Sequence, residues 1–365
     1  MSIALFIIIL VVLILAHEFG HFLLAKRAGM KVEEFGIGFP PRLFSWGRGE
    51  TTYSLNALPF GGFVRIFGED PEEVAKRPGE RSRSFVGKSR SAQAVVVVAG
   101  VAMNLLTAWI LFGAGYMVGL PTEEGEQRFG VVQDVFATVT HIVPDSPALR
   151  AGLMGGDHIV SLNAGGETRE GTRGAEELRA FIAAHPSDEH QIHIERQGEA
   201  LTLSALPAFD AEENRALLGV GLADIGTLQL PPHTALIEGA FLTAQVTKDT
   251  AVGLWQFFSS IFKGEADFSA VAGPVGLVGI VEEASQFGIA ALITLTALIS
   301  INLAIINLLP FPALDGGRLV LIAIEAVRGI SLPSSFISRY NMVGFLLLIG
   351  LMIAVTYNDI VRLLT

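Results

Sequence analysis

His17, Glu18 and His21 stand in the run LAHEFGHFLLA, an H-E-x-x-H arrangement inside an otherwise apolar stretch near the start of the chain. On a helix, positions i and i+4 lie one above the other. Both imidazoles then reach one ion, and the intervening carboxylate stands beside the open coordination position where water binds. This is a zinc signature. The plainer reading is a pair of core histidines bonded by neighbouring helices, but ionisable side chains are costly in apolar surroundings, and here three fall close together. Two histidines leave a tetrahedral ion short of a ligand. The 365 residues include no cysteine, so the third donor must be another His, Asp or Glu.

Finding that donor requires the elements around the motif. Hydrophobic residues make up 51% of the chain and charged ones 17%, with a mean hydropathy of +0.52, which excludes a single soluble globule. The 40 glycines and 16 prolines follow no low-complexity period, and no repeat is visible, so disorder and solenoids are excluded as well. Charge-free runs at 3–16, 91–122, 284–314 and 340–358 mark four expected spans, since a crossing helix needs ~20 mostly apolar residues. The first run continues past Gly20 and has its basic residues after it rather than before, which favours a retained span over a removed leader.

Sidedness follows from charge. Twelve basic residues from Lys26 to Arg90 occupy the loop between the first two spans, which the positive-inside rule makes cytoplasmic. Segment 119–270 carries nine Lys and Arg against 22 Asp and Glu, net negative by 13, and belongs outside together with both chain termini. The expected place is the inner (plasma) membrane, with the lipid bilayer as a partner and nothing that suggests nucleic acid.

The same crossing order selects the third ligand. The other six histidines all lie in the external segment, whereas the far end of the third span returns to the depth of His17 and His21. There the chain reads INLLPFPALDGGR, and Asp315 is the only acidic residue between Glu283 and Glu325. Pro310 and Pro312 interrupt the helix, and Gly316 with Gly317 permits close approach of another chain. Asn307, one turn earlier, either bonds a neighbouring helix or holds the backbone of an unwound substrate.

The external segment carries strand-like pieces at 131–135, 138–143, 158–162, 191–194 and 201–205, and a helix-like piece at 174–184. Its run VPDSPALRAGLMGGDHIVSLNAGG resembles a PDZ domain. Ser146 is placed to cap a helix opened by Pro147, and Gly152 to end it. PDZ domains take an extended peptide as an added strand. A peptide binder and a structural or size-filtering module both remain open. Stretch 236–262 reads as an interfacial amphipathic helix rather than a fifth span, because Lys248 and Asp249 interrupt its middle.

HEFGH with NLLPFPALDGG closely resembles the site-2 protease family of intramembrane zinc metalloproteases, in the bacterial regulator of sigma-E protease type that carries a PDZ insert. The likeness extends to FGIGFPPRLFSW, PFGGFV, AGVAMN and AGPVGLVGI, and covers nearly the whole chain. It implies that His17, His21 and Asp315 bind Zn2+, that Glu18 is the general base and that Asn307 helps hold substrate. Segment 53–66, with Gly61, Gly62, Phe63 and Val64, resembles the family's membrane-associated β-element, which offers an edge to an extended substrate. One departure is that a single PDZ fits here, where some relatives carry two in tandem.

The fold expected is thus a polytopic α-helical membrane protein. It has about four transmembrane helices, a β-element on the cytoplasmic side and an inserted α+β PDZ domain. The expected divisions are a membrane part at 1–126, the PDZ at 127–207, a linker strand and amphipathic helix at 208–270, and a second membrane part at 271–365. The expected activity is hydrolysis of transmembrane segments of single-span proteins, anti-sigma factors among them, or of remnant signal peptides. A zinc carrier or a catalytically silent scaffold are the alternatives. Carriers show repeated halves that are missing here, and a scaffold has no use for Glu18.

Overall fold

The computed structural model describes residues 2–196, 198–210, 215–264 and 273–364. Contacts divide the chain into two compact units, one of Met1–Phe112 with Gly239–Thr365 and the other of Gly113–Glu238.

The first unit opens with α1 (Ser2–Arg27), whose charges are the motif itself and the closing Lys26 and Arg27. Two long strands follow, β1 (Val32–Arg48) and β2 (Thr51–Ile66), then a short α2 (Pro71–Lys76), a 3-10 turn (Pro78–Arg83) and α3 (Arg90–Val118). Among the described residues, four helices are long and apolar enough to cross a membrane: Ser2–Arg27, Arg90–Val118, Ile289–Leu308 and Ser334–Val361. Their bounds differ from the charge-free runs where backbone rather than charge ends a helix. Gly288, at φ 92, separates α7 (Pro274–Gln286) from α8 (Ile289–Leu308), so the start of the 284–314 run belongs to α7. Its other end, 309–314, is the proline-broken link to α9 (Asp315–Arg328).

The β-element is larger than the expected 53–66 stretch. Residues 32–37 of β1 pair on one side with 62–66 and on the other with 51–55, while 44–48 pair with 51–55 again. Two bent strands therefore make a four-ribbon sheet in the order 62–66, 32–37, 51–55, 44–48. Residues 62–66 form one margin of it, paired on one side only among the described residues. Ala25, Met30, Val32, Ile66, Phe85, Val96, Val97 and Ile322 form a buried cluster that joins α1, the sheet, α3 and α9. A second cluster, Ile9, Leu13 and Val281, joins α1 to α7, with Leu295, Ile299 and Leu303 of α8 against it. α10 (Ser334–Leu364) completes this unit, with α6 (Pro232–Lys263) running into it.

The second unit is a sheet of β3 (Leu120–Glu123), β11 (Val220–Leu228), β4 (Gln133–Ile142), β5 (His158–Ala164), β7 (His190–Arg196) and β8 (Glu199–Ala205) in that order, with β6 (Glu167–Glu170) on β5. β9 (Ala208–Asp210) and β10 (Arg215–Leu217) make a separate hairpin. In α4 (Pro147–Ala151), Ser146 accepts from the Leu149 amide and Gly152 closes the helix in the left-handed region. α5 (Ala175–Ala184) sets Leu178, Phe181 and Ile182 on the sheet against Leu162, Ile192 and Ile194. Burying a side chain such as Leu162 or Ile192 contributes about 1.5–3 kcal/mol.

Two sequence expectations change here. The strands expected at 131–135 and 138–143 are one strand, β4. The 127–207 boundary is also too narrow, because β11, expected in a linker, lies inside the sheet between β3 and β4. The 270/271 boundary lies outside the described residues.

Candidate metal centre

α1 places the two imidazoles edge to face, with ring centroids 4.7 Å apart and their Nε2 atoms 3.1 Å apart. Asp315 closes the group from the other end of the chain, its Oδ2 lying 3.1 Å from His17 Nε2 and 3.3 Å from His21 Nε2. The break after α8 aims it there. Leu309 leaves the helix in an extended conformation, Ala313 turns at φ 71, and Asp315 becomes the first residue of α9. Gly316 and Gly317 lie against the carbonyls of Leu308, Leu309 and Phe311, where any Cβ would overlap backbone and push the carboxylate out of line. α3 supplies the opposite wall. Gly100 is packed so tightly on both imidazoles that a Cβ there would stand 2.7 Å from His17 Cε1.

The donor set fits a zinc ion. Asp315 Oδ2 is buried and takes part in no hydrogen bond despite its two close nitrogens, the pattern of electron pairs converging on a shared centre. Tetrahedral bonds of about 2.0–2.1 Å give ligand separations of about 3.3–3.4 Å, close to those observed here. Among the described residues these three are the His, Asp and Glu side chains grouped closely enough to hold an ion.

A cavity of about 640 Å³ opens on this group, lined by Glu18, Asn307, Phe63 and Val64 as well as the three converging residues. Gly62 lies under the Glu18 side chain, where a Cβ would meet Cγ at 3.5 Å, and the Val64 backbone amide interacts with the Glu18 carboxylate. Gly61 faces the Phe39 ring instead of the cavity. The six remaining histidines all belong to the second unit.

Several residues of the site escaped the sequence reading. Asn104, fully buried, lies with its amide 3.3 Å from His17 Nδ1, and the Val96 carbonyl lies 2.9 Å from His21 Nδ1. The signal available for Asn104 was an amide in the otherwise apolar stretch 94–106, four residues after Gly100. Glu69 and Arg318 line the cavity too, with Arg318 donating to the Glu69 carbonyl and stacked over Phe85. Glu69 is an exposed residue on the cavity wall. Protein atoms packed around this wall displace part of the water near its carboxyl and push it up to about 7, against the opposing pull of Arg318.

The sequence profile of Peptidase family M50 matches residues 5–351. The chain belongs to this family, the site-2 proteases. Among its relatives, the zinc metalloprotease RasP of Oceanobacillus iheyensis is 31% identical over 98% of both chains. RasP of Geobacillus kaustophilus is 30% identical over 98% of this chain and 97% of its own. The regulator of sigma-W protease RasP of Bacillus subtilis is 29% identical over 98% of each. The chain is therefore an enzyme of a zinc metalloprotease family, a multi-pass membrane protein, with Zn2+ as its expected cofactor.

Proposed function

We propose that this site-2 protease hydrolyses peptide bonds in the transmembrane segments of single-span membrane proteins or in remnant signal peptides, close to their cytoplasmic ends. The observation that carries the reading is the convergence of His17, His21 and Asp315 at 3.1–3.3 Å beside Glu18, in a cavity walled by membrane-length helices. His17, His21 and Asp315 hold the ion in this reading. A bound zinc ion lowers the pKa of its water to about 7 and polarises a carbonyl. Glu18 would be the base that takes a proton from the attacking water and the acid that returns it to the leaving amine.

A substrate helix hides its amides in its own hydrogen bonds and must unwind before attack. Residues 62–66, paired on one side only, offer an edge to an extended segment, and Phe63, Val64 and Asn307 on the cavity wall are placed to receive freed backbone groups. Gly62 contributes by its lack of a side chain under Glu18, and Gly61 by the bend that leads into this edge. The basic loop 26–90 belongs to the cytoplasmic side. The acidic second unit and both termini belong outside, where that unit serves as a PDZ-like filter or peptide binder. A sigma-W regulator among the relatives supports anti-sigma factors as one substrate group.

Co-expression with a tagged panel of single-span proteins tests the reading. The wild type cuts a subset near the cytoplasmic end, and Glu18→Gln cuts none while keeping its zinc. Cleavage by a purified Glu18→Gln protein would overturn it.

A further inference from the structure

The two imidazoles are held from behind by groups of different kinds. His21 Nδ1 lies 2.9 Å from the backbone oxygen of Val96, an atom that only accepts, so this nitrogen carries the hydrogen and Nε2 keeps its lone pair. His17 Nδ1 faces a side chain instead, the amide of Asn104 at 3.3 Å. Asn104 is 0% exposed, and its own backbone oxygen accepts from Ser300 Oγ at 2.8 Å, which ties α3 to α8 at this point.

An Asn amide presents nitrogen or oxygen to a neighbour by a half-turn about its terminal bond. With nitrogen toward the ring, His17 Nδ1 accepts and its hydrogen sits on Nε2. That hydrogen points into the space shared by His21 Nε2 and Asp315 Oδ2, and His17 has no electron pair left for a cation. With oxygen toward the ring, the hydrogen sits on Nδ1 and Nε2 is bare. The half-turn breaks no bond of the Asn104 side-chain oxygen, because Oδ1 in the first arrangement is buried with no hydrogen-bond partner among the described residues.

We propose that Asn104 is the positioning residue of His17: its side-chain oxygen accepts the Nδ1 hydrogen and so fixes the tautomer whose Nε2 binds the ion. The assignment rests on the metal-centre reading above. It also creates an asymmetry. His21 is held by backbone that no side-chain substitution removes, whereas His17 depends on one replaceable amide. Losing such a partner weakens metal affinity about 10–100-fold.

The test uses the full-length chain in detergent micelles, with zinc affinity read by chelator competition and the histidine tautomers by 15N spectroscopy. Asn104→Leu keeps the shape and removes the acceptor; it is expected to weaken zinc about 10–100-fold and to shift the His17 resonances while His21 stays put. Asn104→Asp, which only accepts, restores most of the affinity, a rescue that a packing role does not predict. Should the variants fail to fold, the zinc-loaded wild type decides alone. A hydrogen on His17 Nδ1 supports the proposal, and a bare or metal-bound Nδ1 overturns it. Tight zinc binding unchanged by Asn104→Leu overturns this proposal only, whereas a wild type that takes up no zinc overturns the metal-centre reading with it.

Discussion

Asp359, near the end of α10, accepts hydrogen bonds from the backbone amides of Gly273 at 3.0 Å and Gly276 at 2.9 Å, and so closes the start of α7 from a different helix. The first amides of a helix have no partner within it, and a carboxylate there also meets the positive end of the helix dipole. Asp359 is only 5% exposed, so little water is available as a substitute. Asp359→Asn is expected to cost about 1–2 kcal/mol, as loss of a capping carboxylate does. Thermal unfolding of the solubilised chain measures this, and an unchanged midpoint would mean that packing against its neighbouring helices holds α7 without this cap.

Gly100 lies where a side chain would press on both imidazoles. Gly100→Val is expected to lower zinc affinity by at least about 10-fold, because displacing a ligand ring is no milder than losing its outer partner. The sharper mark is a contrast with Gly350, beside which nothing lies within 4 Å. Gly350→Ala leaves zinc uptake as it was.

Zinc removal separates ligands from the base. An ion that binds the folded chain alone stabilises it by about 4 kcal/mol at a thousand times its Kd. Adding zinc to chelator-stripped protein should therefore raise the melting temperature of the wild type and of Glu18→Gln alike, and should fail to raise that of Asp315→Ala. A rise in Asp315→Ala equal to the wild type's would remove Asp315 from the ligand set.

What the sequence showed depended on how local the cause was. The i, i+4 spacing of His17 and His21 is a property of one helix, and Asp315 could be picked out because alternating crossings bring a single acid back to one depth. Asn104 needed a distance across two helices that no spacing encodes. β11 was hidden for a related reason: its pairing with β4 is interrupted by register shifts, and its partners lie far away in sequence. The β-element was half legible. The family likeness pointed to 53–66 as a β-element, but only the three-dimensional pairing reveals that 32–37 lies between two parts of β2.

In the second unit, Arg196 grips Asp157 with Nε at 2.6 Å and Nη2 at 2.7 Å, and the carboxylate also accepts from the Met154 amide at 2.8 Å. The Asp157 side chain is 1% exposed. Arg196→Ala strands that charge and is expected to cost about 3 kcal/mol. Asp157→Asn with Arg196→Ala together should cost less than the two changes summed, as a double-mutant thermal series measures.

Glu69 gives a pH dependence of definite sign. Its place on the cavity wall pushes its carboxyl up from an ordinary 4.5 to about 7 in the folded chain. The folded state thus keeps a proton that the unfolded state releases, so stability falls as pH climbs through that interval and then levels off; below it the group is neutral in both states and contributes nothing. Glu69→Gln should melt above the wild type in mildly alkaline buffer, with the gap closing on acidification. A gap that widens in acid would reverse the assignment.

Because Asp315 meets His17 and His21 from so far along the chain, the order of synthesis matters. A ribosome delivers α1 to the bilayer while most of the protein is still unmade, and at that stage two imidazoles have no carboxylate to join them. The three-donor group is therefore incomplete until the first turn of α9 is laid down. The long separation along the backbone thus ties completion of the centre to the last part of the chain to be made.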